Sequence, residues 1–221
     1  MPIEGIIFDF DGVIADSESL ANIVLAETVT GLGLPTSLDD ALDRYMGKRA
    51  AEVVAAIESG IGRALPGNFP DTLATTTLAR FRAELREVKG AKKFILQFGD
   101  TPHCIASSSS MQRLSFCLEI LGLARHFGNN VFSSEVVPRG KPHPDIFLYA
   151  ARQLNVAPSR CLVIEDGVNG VRAGVAAGMM VLGLCAGSHM REGDAARMHQ
   201  AGAAHISNTW ADAETWVSLL A

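Results

Sequence analysis

Apolar residues recur along this chain in two rhythms. In the carboxyl-terminal two-thirds, short continuous runs rich in Val, Ile and Leu alternate with longer stretches of helical spacing. The runs, with one more at the amino terminus, predict strands over 3–10, 103–106, 130–133, 161–165, 180–184 and 204–206. The intervening spacing predicts helices over 111–121, 144–154, 170–177, 193–201 and 211–220. Strands that are apolar throughout and alternate with helices predict a parallel sheet covered on both faces. Residues 17 to about 88 break this rhythm. They hold no apolar strand, and Ile23, Ala26, Val29, then Val53, Val54, Ile57, then Leu78, Phe81, Leu85 recur at helical intervals between clusters of Gly and Pro.

At 221 residues the chain is about one and a half domains of typical size. An apolar fraction of 48% supplies a real core. The formal charge of −5 and the absence of a basic run argue against nucleic-acid or anionic-membrane partners. The longest uncharged apolar stretch, 173–187, is too short to span a bilayer and contains four glycines. Glu4, Asp9 and Asp11 stand where a secretory signal would be basic and then apolar. Cys104, Cys117, Cys161 and Cys185 form no CxxC pair and read as buried reduced thiols, so a cytoplasmic location is expected.

Four predicted strand ends carry candidate chemistry. The first strand runs into Asp9-Phe10-Asp11-Gly12, two acids two residues apart before a glycine. Like charges held that close call for a cation or a proton. The second strand ends in Ser107-Ser108-Ser109-Ser110 where a helix should begin, an arrangement that caps a helix and attracts anions. Lys141 lies between Gly140 and Pro142 on a restricted backbone. The strand over 161–165 ends in Glu165-Asp166-Gly167, and carboxylates suit a hard cation. Singly, these also read as an Asp-Gly turn, a helix cap, a solvated loop lysine and a capping acid. His189 reads as a loop histidine or as one lining the core near the site, Asp16 as a structural hydrogen-bonder, and Trp210 and Trp216 as packing residues.

In order and spacing, DFDGVIADSE, IASSSS, GKPHPDIF and VIEDGVNG resemble the four motifs of the haloacid dehalogenase superfamily over essentially the whole chain. Within it, the chain is similar to the subgroup of β-phosphoglucomutase and sugar-phosphate phosphatases. The resemblance implies an α/β fold, a three-layer Rossmann-like core with a parallel sheet over 1–16 and 87–221, and an inserted helical cap over 17–86. It implies Mg²⁺ and a small phosphorylated metabolite as substrate, in a monomer or small homo-oligomer. Asp9 would be the nucleophile, forming an aspartyl-phosphate, and Asp11 the acid and then the base. The Asp9 carboxylate, the Asp11 carbonyl and Asp166 would hold the metal, with Glu165 on metal-bound water. Ser107, Ser108 and Lys141 would hold phosphoryl oxygens.

An acid two residues after the nucleophile is absent from the dehalogenases themselves, so Asp11 points to phosphoryl transfer. Mutases of the subgroup carry a histidine ten residues after the second acid, where this chain has Ala21. They also carry an arginine three residues after a cap glycine, where Gly47 is followed by Lys48, Arg49 and Ala50. Both departures favour a phosphatase over a sugar phosphomutase. Glu18, Asn22, Lys48 and Arg49 are the expected specificity residues; the two cations suit an anionic substrate such as a sugar-acid phosphate and read equally as a solvated helix start. Residues 184–189 are also similar to the matching stretch of bacterial 6-phosphogluconate-type phosphatases.

Overall fold

The computed structural model describes residues 2–46, 48 and 50–220, and Arg49 lies outside them. The chain divides into two compact units, one of Met1–Asp16 with Arg86–Ala221 and one of Ser17–Leu85.

The first unit begins with β1 (Gly5–Phe8), whose four residues are all buried. The second unit is helical throughout: α1 (Glu18–Gly31), α2 (Leu38–Arg44), α3 (Ala50–Ile61) and α4 (Phe69–Glu84). Ser37 opens α2 with a reciprocal capping box, its hydroxyl accepting from the Asp40 amide while the Asp40 carboxylate accepts from its own. Leu25, Ala26, Val29, Ala41, Ile57 and Phe69 form the core of this unit, from residues spaced to share helix faces. Asn22 lies one turn beyond Glu18 on α1 and donates to its carbonyl at 2.9 Å. Lys48 is exposed between α2 and α3.

The α/β unit then continues through α5 (Ala91–Gln97), β2 (His103–Ser107), α6 (Met111–Leu121), α7 (Ala124–Phe127), β3 (Val131–Ser133) and α8 (Asp145–Leu154). It finishes with β4 (Cys161–Glu165), α9 (Val168–Ala176), β5 (Met180–Leu184), α10 (Asp194–Gln200), β6 (His205–Ser207) and α11 (Trp210–Ser218). Among the described residues these six strands form one parallel sheet in the order β3-β2-β1-β4-β5-β6. Ile7, Cys104, Ala106 and Val163 point to one face, where α8 and α9 bring Ile146, Phe147, Ala150 and Val171. Phe8 points to the other and meets the rings of Phe94, Phe127 and Trp210 at about 6 Å. Trp210 also donates from Nε1 to the Val13 carbonyl. The three-layer parallel α/β architecture is therefore the one the apolar runs predict.

Some details differ from the sequence reading. The first strand is shorter than 3–10, because the backbone leaves the ladder after Phe8 and turns through Gly12 at φ 77°. Phe10 stays fully buried without belonging to the strand. Helix α5 was not expected, although Ala91, Phe94 and Ile95 at helical spacing form its buried face. The four cysteines are free. Burial pushes the Cys117 thiol up to about 12 and those of Cys161 and Cys185 to about 11, so they pack as apolar groups.

Candidate active site

The strand order reverses direction at β1, with β2 on one side and β4 on the other. In open parallel sheets ligands bind beyond the carboxyl ends of the strands at such a point. Asp9 is the first residue past β1, and its amide still donates to the Ile164 carbonyl of β4 at 2.9 Å. The chain then turns back on itself, with Ile14 and Ala15 donating to the Phe10 carbonyl. A side chain at Gly12 would overlap the Asp166 carboxylate, so only glycine lets this turn come so close to the end of β4.

Lys141 joins the two strand ends. Its Nζ lies 2.5 Å from Asp9 Oδ1, 2.6 Å from Glu165 Oε1 and 4.8 Å from the centre of the Phe147 ring, with its side chain only 7% exposed. Burial alone would lower the lysine pKa, but the Asp9 and Glu165 charges outweigh it and hold the ammonium above its usual range. Burial, reinforced by the charges of Glu165 and Asp166, pushes the Asp9 carboxyl well above the usual carboxylate range. Burial also raises Asp166, against a hydrogen bond from His189.

Among the described residues, Asp9, Glu165 and Asp166 bring oxygens within 4.8 Å of one another. Two buried acids, Asp9 and Glu165, share one lysine beside the partly buried Asp166, and Asp9 and Asp166 are pushed toward protonation. This donor set fits a hard divalent cation, which takes oxygen ligands and would relieve the surplus negative charge.

Glu165 is the most constrained of the three. Its Oε2 accepts from the amides of Asp166 and Gly167 at 3.0 and 2.9 Å, while Oε1 takes Lys141. The carboxylate also lies where a side chain at Gly170 would be, since a Cβ there would overlap Oε1. An alanine in a helix is ordinarily favoured over glycine by about 1 kcal/mol. Here the overlap reverses the sign, and Gly170→Ala is expected to lower stability by about 2 kcal/mol. Urea unfolding followed by circular dichroism tests this, and an unchanged or raised midpoint would contradict the crowding at Glu165.

Asp11 faces elsewhere. Its Oδ1 accepts from Arg113 at 2.6 Å and its Oδ2 from the Ser109 hydroxyl at 2.6 Å. The Ser107 side chain is buried at the end of β2, where its hydroxyl accepts from the Ser109 amide at 3.1 Å. Ser108 is exposed, and its carbonyl accepts from Ser134. Ser110 caps α6, so the serine run wraps the amino end of that helix.

The structure thus brings Asp9, Glu165, Asp166 and Lys141 together and sets Asp11 beside them, tied to Arg113 and Ser109. Glu18, Asn22 and Lys48 belong to the helical unit. Three residues at the site were not singled out from the sequence for these parts: Ser109, Arg113 and His189. His189 lies in the loop after β5 and also at the site, 5% exposed with Nε2 3.0 Å from Asp166 Oδ2. Asp16 does act as a structural hydrogen-bonder, accepting from the amide and hydroxyl of Ser188.

Comparison with known proteins agrees with this geometry. A haloacid dehalogenase-like hydrolase family model matches residues 3–178. The 6-phosphogluconate phosphatase of Escherichia coli (strain K12) is 27% identical over 188 residues, 85% of each chain. A crystal structure of a conserved haloacid dehalogenase-like protein from Agrobacterium tumefaciens superposes with a TM-score of 0.88, at 33% identity over 99% of both chains. That of a family hydrolase from Deinococcus radiodurans, with bound phosphate and sodium, gives 0.85 at 32% identity, over 99% of this chain and 96% of that one. The matched span runs from β1 through α9, and by that measure the chain belongs to the haloacid dehalogenase-like hydrolases.

Proposed function

We propose that this chain is a Mg²⁺-dependent phosphatase that hydrolyses a small phosphorylated metabolite, a sugar or sugar-acid phosphate, through an aspartyl-phosphate on Asp9. The observation that carries this reading is the buried ammonium of Lys141 between Asp9 and Glu165, beside Asp166, at the reversal point of the sheet. A carboxylate nucleophile and a phosphate dianion repel one another, and a site for them needs positive charge close to both.

In this reading Asp9 attacks phosphorus, one carboxylate oxygen forms the new P–O bond, and the ester P–O bond breaks. Asp11 gives a proton to the departing oxygen. It then takes a proton from the water that attacks the aspartyl-phosphate, returning free Asp9 and inorganic phosphate. To do so its carboxylate turns away from Arg113 and Ser109. Lys141, the Ser107 hydroxyl and the Ser108 amide hold the phosphoryl oxygens. Asp9, Asp166 and the Asp11 carbonyl would hold Mg²⁺, whose charge when bound offsets that developing on the phosphoryl group. Glu165 holds Lys141 in place through Oε1 and would also accept from metal-bound water.

The E. coli relative is named for 6-phosphogluconate, an anionic sugar phosphate, and the D. radiodurans relative holds phosphate. Lys48 and Arg49, with Glu18 and Asn22, are proposed to select the substrate, the two cations favouring a sugar acid. Ala21 and Ala50 stand where a mutase would carry His and Arg, which favours transfer to water over transfer to a second sugar hydroxyl. No helix among the described residues is long and apolar enough to cross a membrane, and a cytoplasmic location is proposed.

Phosphate release is to be measured over a panel of sugar, sugar-acid, polyol and nucleotide monophosphates, with Mg²⁺ and with excess chelator. Release on a subset of the panel, lost with chelator, is expected. ³¹P NMR distinguishes a mutase, which would interconvert isomers faster than it frees phosphate and would need a bisphosphate activator. No turnover of any phosphomonoester would overturn the assignment.

A further inference from the structure

His189 is the buried titratable group at the site that the mechanism above does not use. We infer that it is a positioning residue for Asp166, and that it sets how tightly the chain holds its divalent cation. The inference rests on the reading that Asp9 and Asp166 hold that cation.

His189 Nε2 lies 3.0 Å from Asp166 Oδ2, with the two side chains 5% and 10% exposed. An ionised carboxylate has only acceptor atoms, so Nε2 carries the hydrogen and donates. Two glycines make room for the ring. A Cβ at Gly187 would stand 2.6 Å from Cε1, and one at Gly12 would also stand 2.6 Å from it. The same Cβ at Gly12 would overlap Asp166 Oδ2 itself, so the histidine ring, the carboxylate and the turn after Asp9 share one tight space. The loop that carries the ring is tied down next door. Asp16 Oδ1 accepts from the Ser188 amide at 2.9 Å and from its hydroxyl at 2.8 Å. The Gly187 carbonyl accepts from the Met190 amide at 3.1 Å, closing a turn around His189.

This arrangement has a consequence for the metal. With Oδ2 engaged by Nε2, rotation of the carboxylate about its last bond is restrained. Partners that orient a ligating carboxylate in this way are typically worth 10- to 100-fold in metal affinity. The chain therefore ties two loops to one ligand. The turn after β1 brings Gly12, and the loop after β5 brings Gly187, Ser188 and His189.

The test is calorimetric titration of Mg²⁺ into the metal-free full chain, with Mn²⁺ binding by electron paramagnetic resonance as a second readout. His189→Ala is expected to weaken binding about tenfold. His189→Gln, whose amide NH₂ reaches the place of Nε2, is expected to recover most of that loss. The substrate KM at saturating Mg²⁺ should stay near that of the wild type, while the Mg²⁺ concentration for half-maximal rate rises about tenfold in the Ala variant. If His189→Ala does not fold without metal, His189→Leu fills the ring's space without a donor and serves in its place. Asp166→Asn provides the reference. If it binds Mg²⁺ as well as the wild type, the reading of the metal site fails and this inference with it. If it loses binding while His189→Ala keeps wild-type affinity, or if Gln and Ala lose equally, only the part given to His189 is overturned.

Discussion

Asp9→Asn is expected to lower phosphate release by roughly 10⁴-fold or more, about 5.5 kcal/mol of transition-state stabilisation. An amide keeps the shape of the side chain but is neither charged nor nucleophilic, so the step that forms the aspartyl-phosphate is lost outright. The same substitution carries a stability prediction with a definite sign. Burial and the neighbouring acids raise the folded-state pKa of Asp9 above its unfolded value. The fold therefore favours the protonated form. The stability this contributes is complete below the unfolded carboxylate pKa and is lost as pH rises through the folded value. Asparagine stands in for the protonated form at every pH. Metal-free Asp9→Asn should melt at or above the wild-type temperature at pH 8, with the advantage shrinking toward pH 5. Release within tenfold of wild type would remove Asp9 from its assigned role.

Lys141→Met is expected to cost about 10³-fold in rate and about 3 kcal/mol in stability. Methionine preserves much of the stem beside Phe147, so the loss comes from the charge. Without the ammonium, Asp9 and Glu165 are buried acids with no cation between them. Lys141 is one of the influences that lower the Asp9 pKa, so its removal raises that pKa further. The destabilisation should thus grow as pH rises through the Asp9 titration, so that it is larger at pH 8 than at pH 5. Thermal melts of both proteins at the two pH values test this. A loss of equal size at both would show that Lys141 contributes packing and not charge.

The parts of the fold legible in the sequence are those where burial is complete on both faces. β4 and β5 begin and end where their apolar runs do, because every position from Cys161 to Glu165 is buried. The first strand was read too long because Phe10 is fully buried yet lies outside the ladder, and hydrophobicity reports burial, not pairing. The acids and the lysine at the site were legible because each sits at the end of a recognisable strand or in a restricted loop. Their partners were not. Arg113 reaches Asp11 across about a hundred residues, and His189 meets Asp166 only because β5 lies beside β4 and the following loop folds back over Gly12. Such pairings follow from strand order and from the space that glycines leave, and neither is written in local spacing.

The central position of β1 has a further consequence, for the order in which the molecule can be built. β1 is made first, yet both of its neighbours come much later, with Ile6 paired to His103 and Phe8 to Ile164. Each pairing closes a loop of roughly a hundred residues or more, and the entropy of that closure has to be met before the ladder rewards it. A growing chain therefore carries Asp9 for about 150 residues of synthesis before the strand that brings Glu165 and Asp166. Assembly of the site is coupled to long-range sheet closure, so partly made chains carry the nucleophile without the rest of the site.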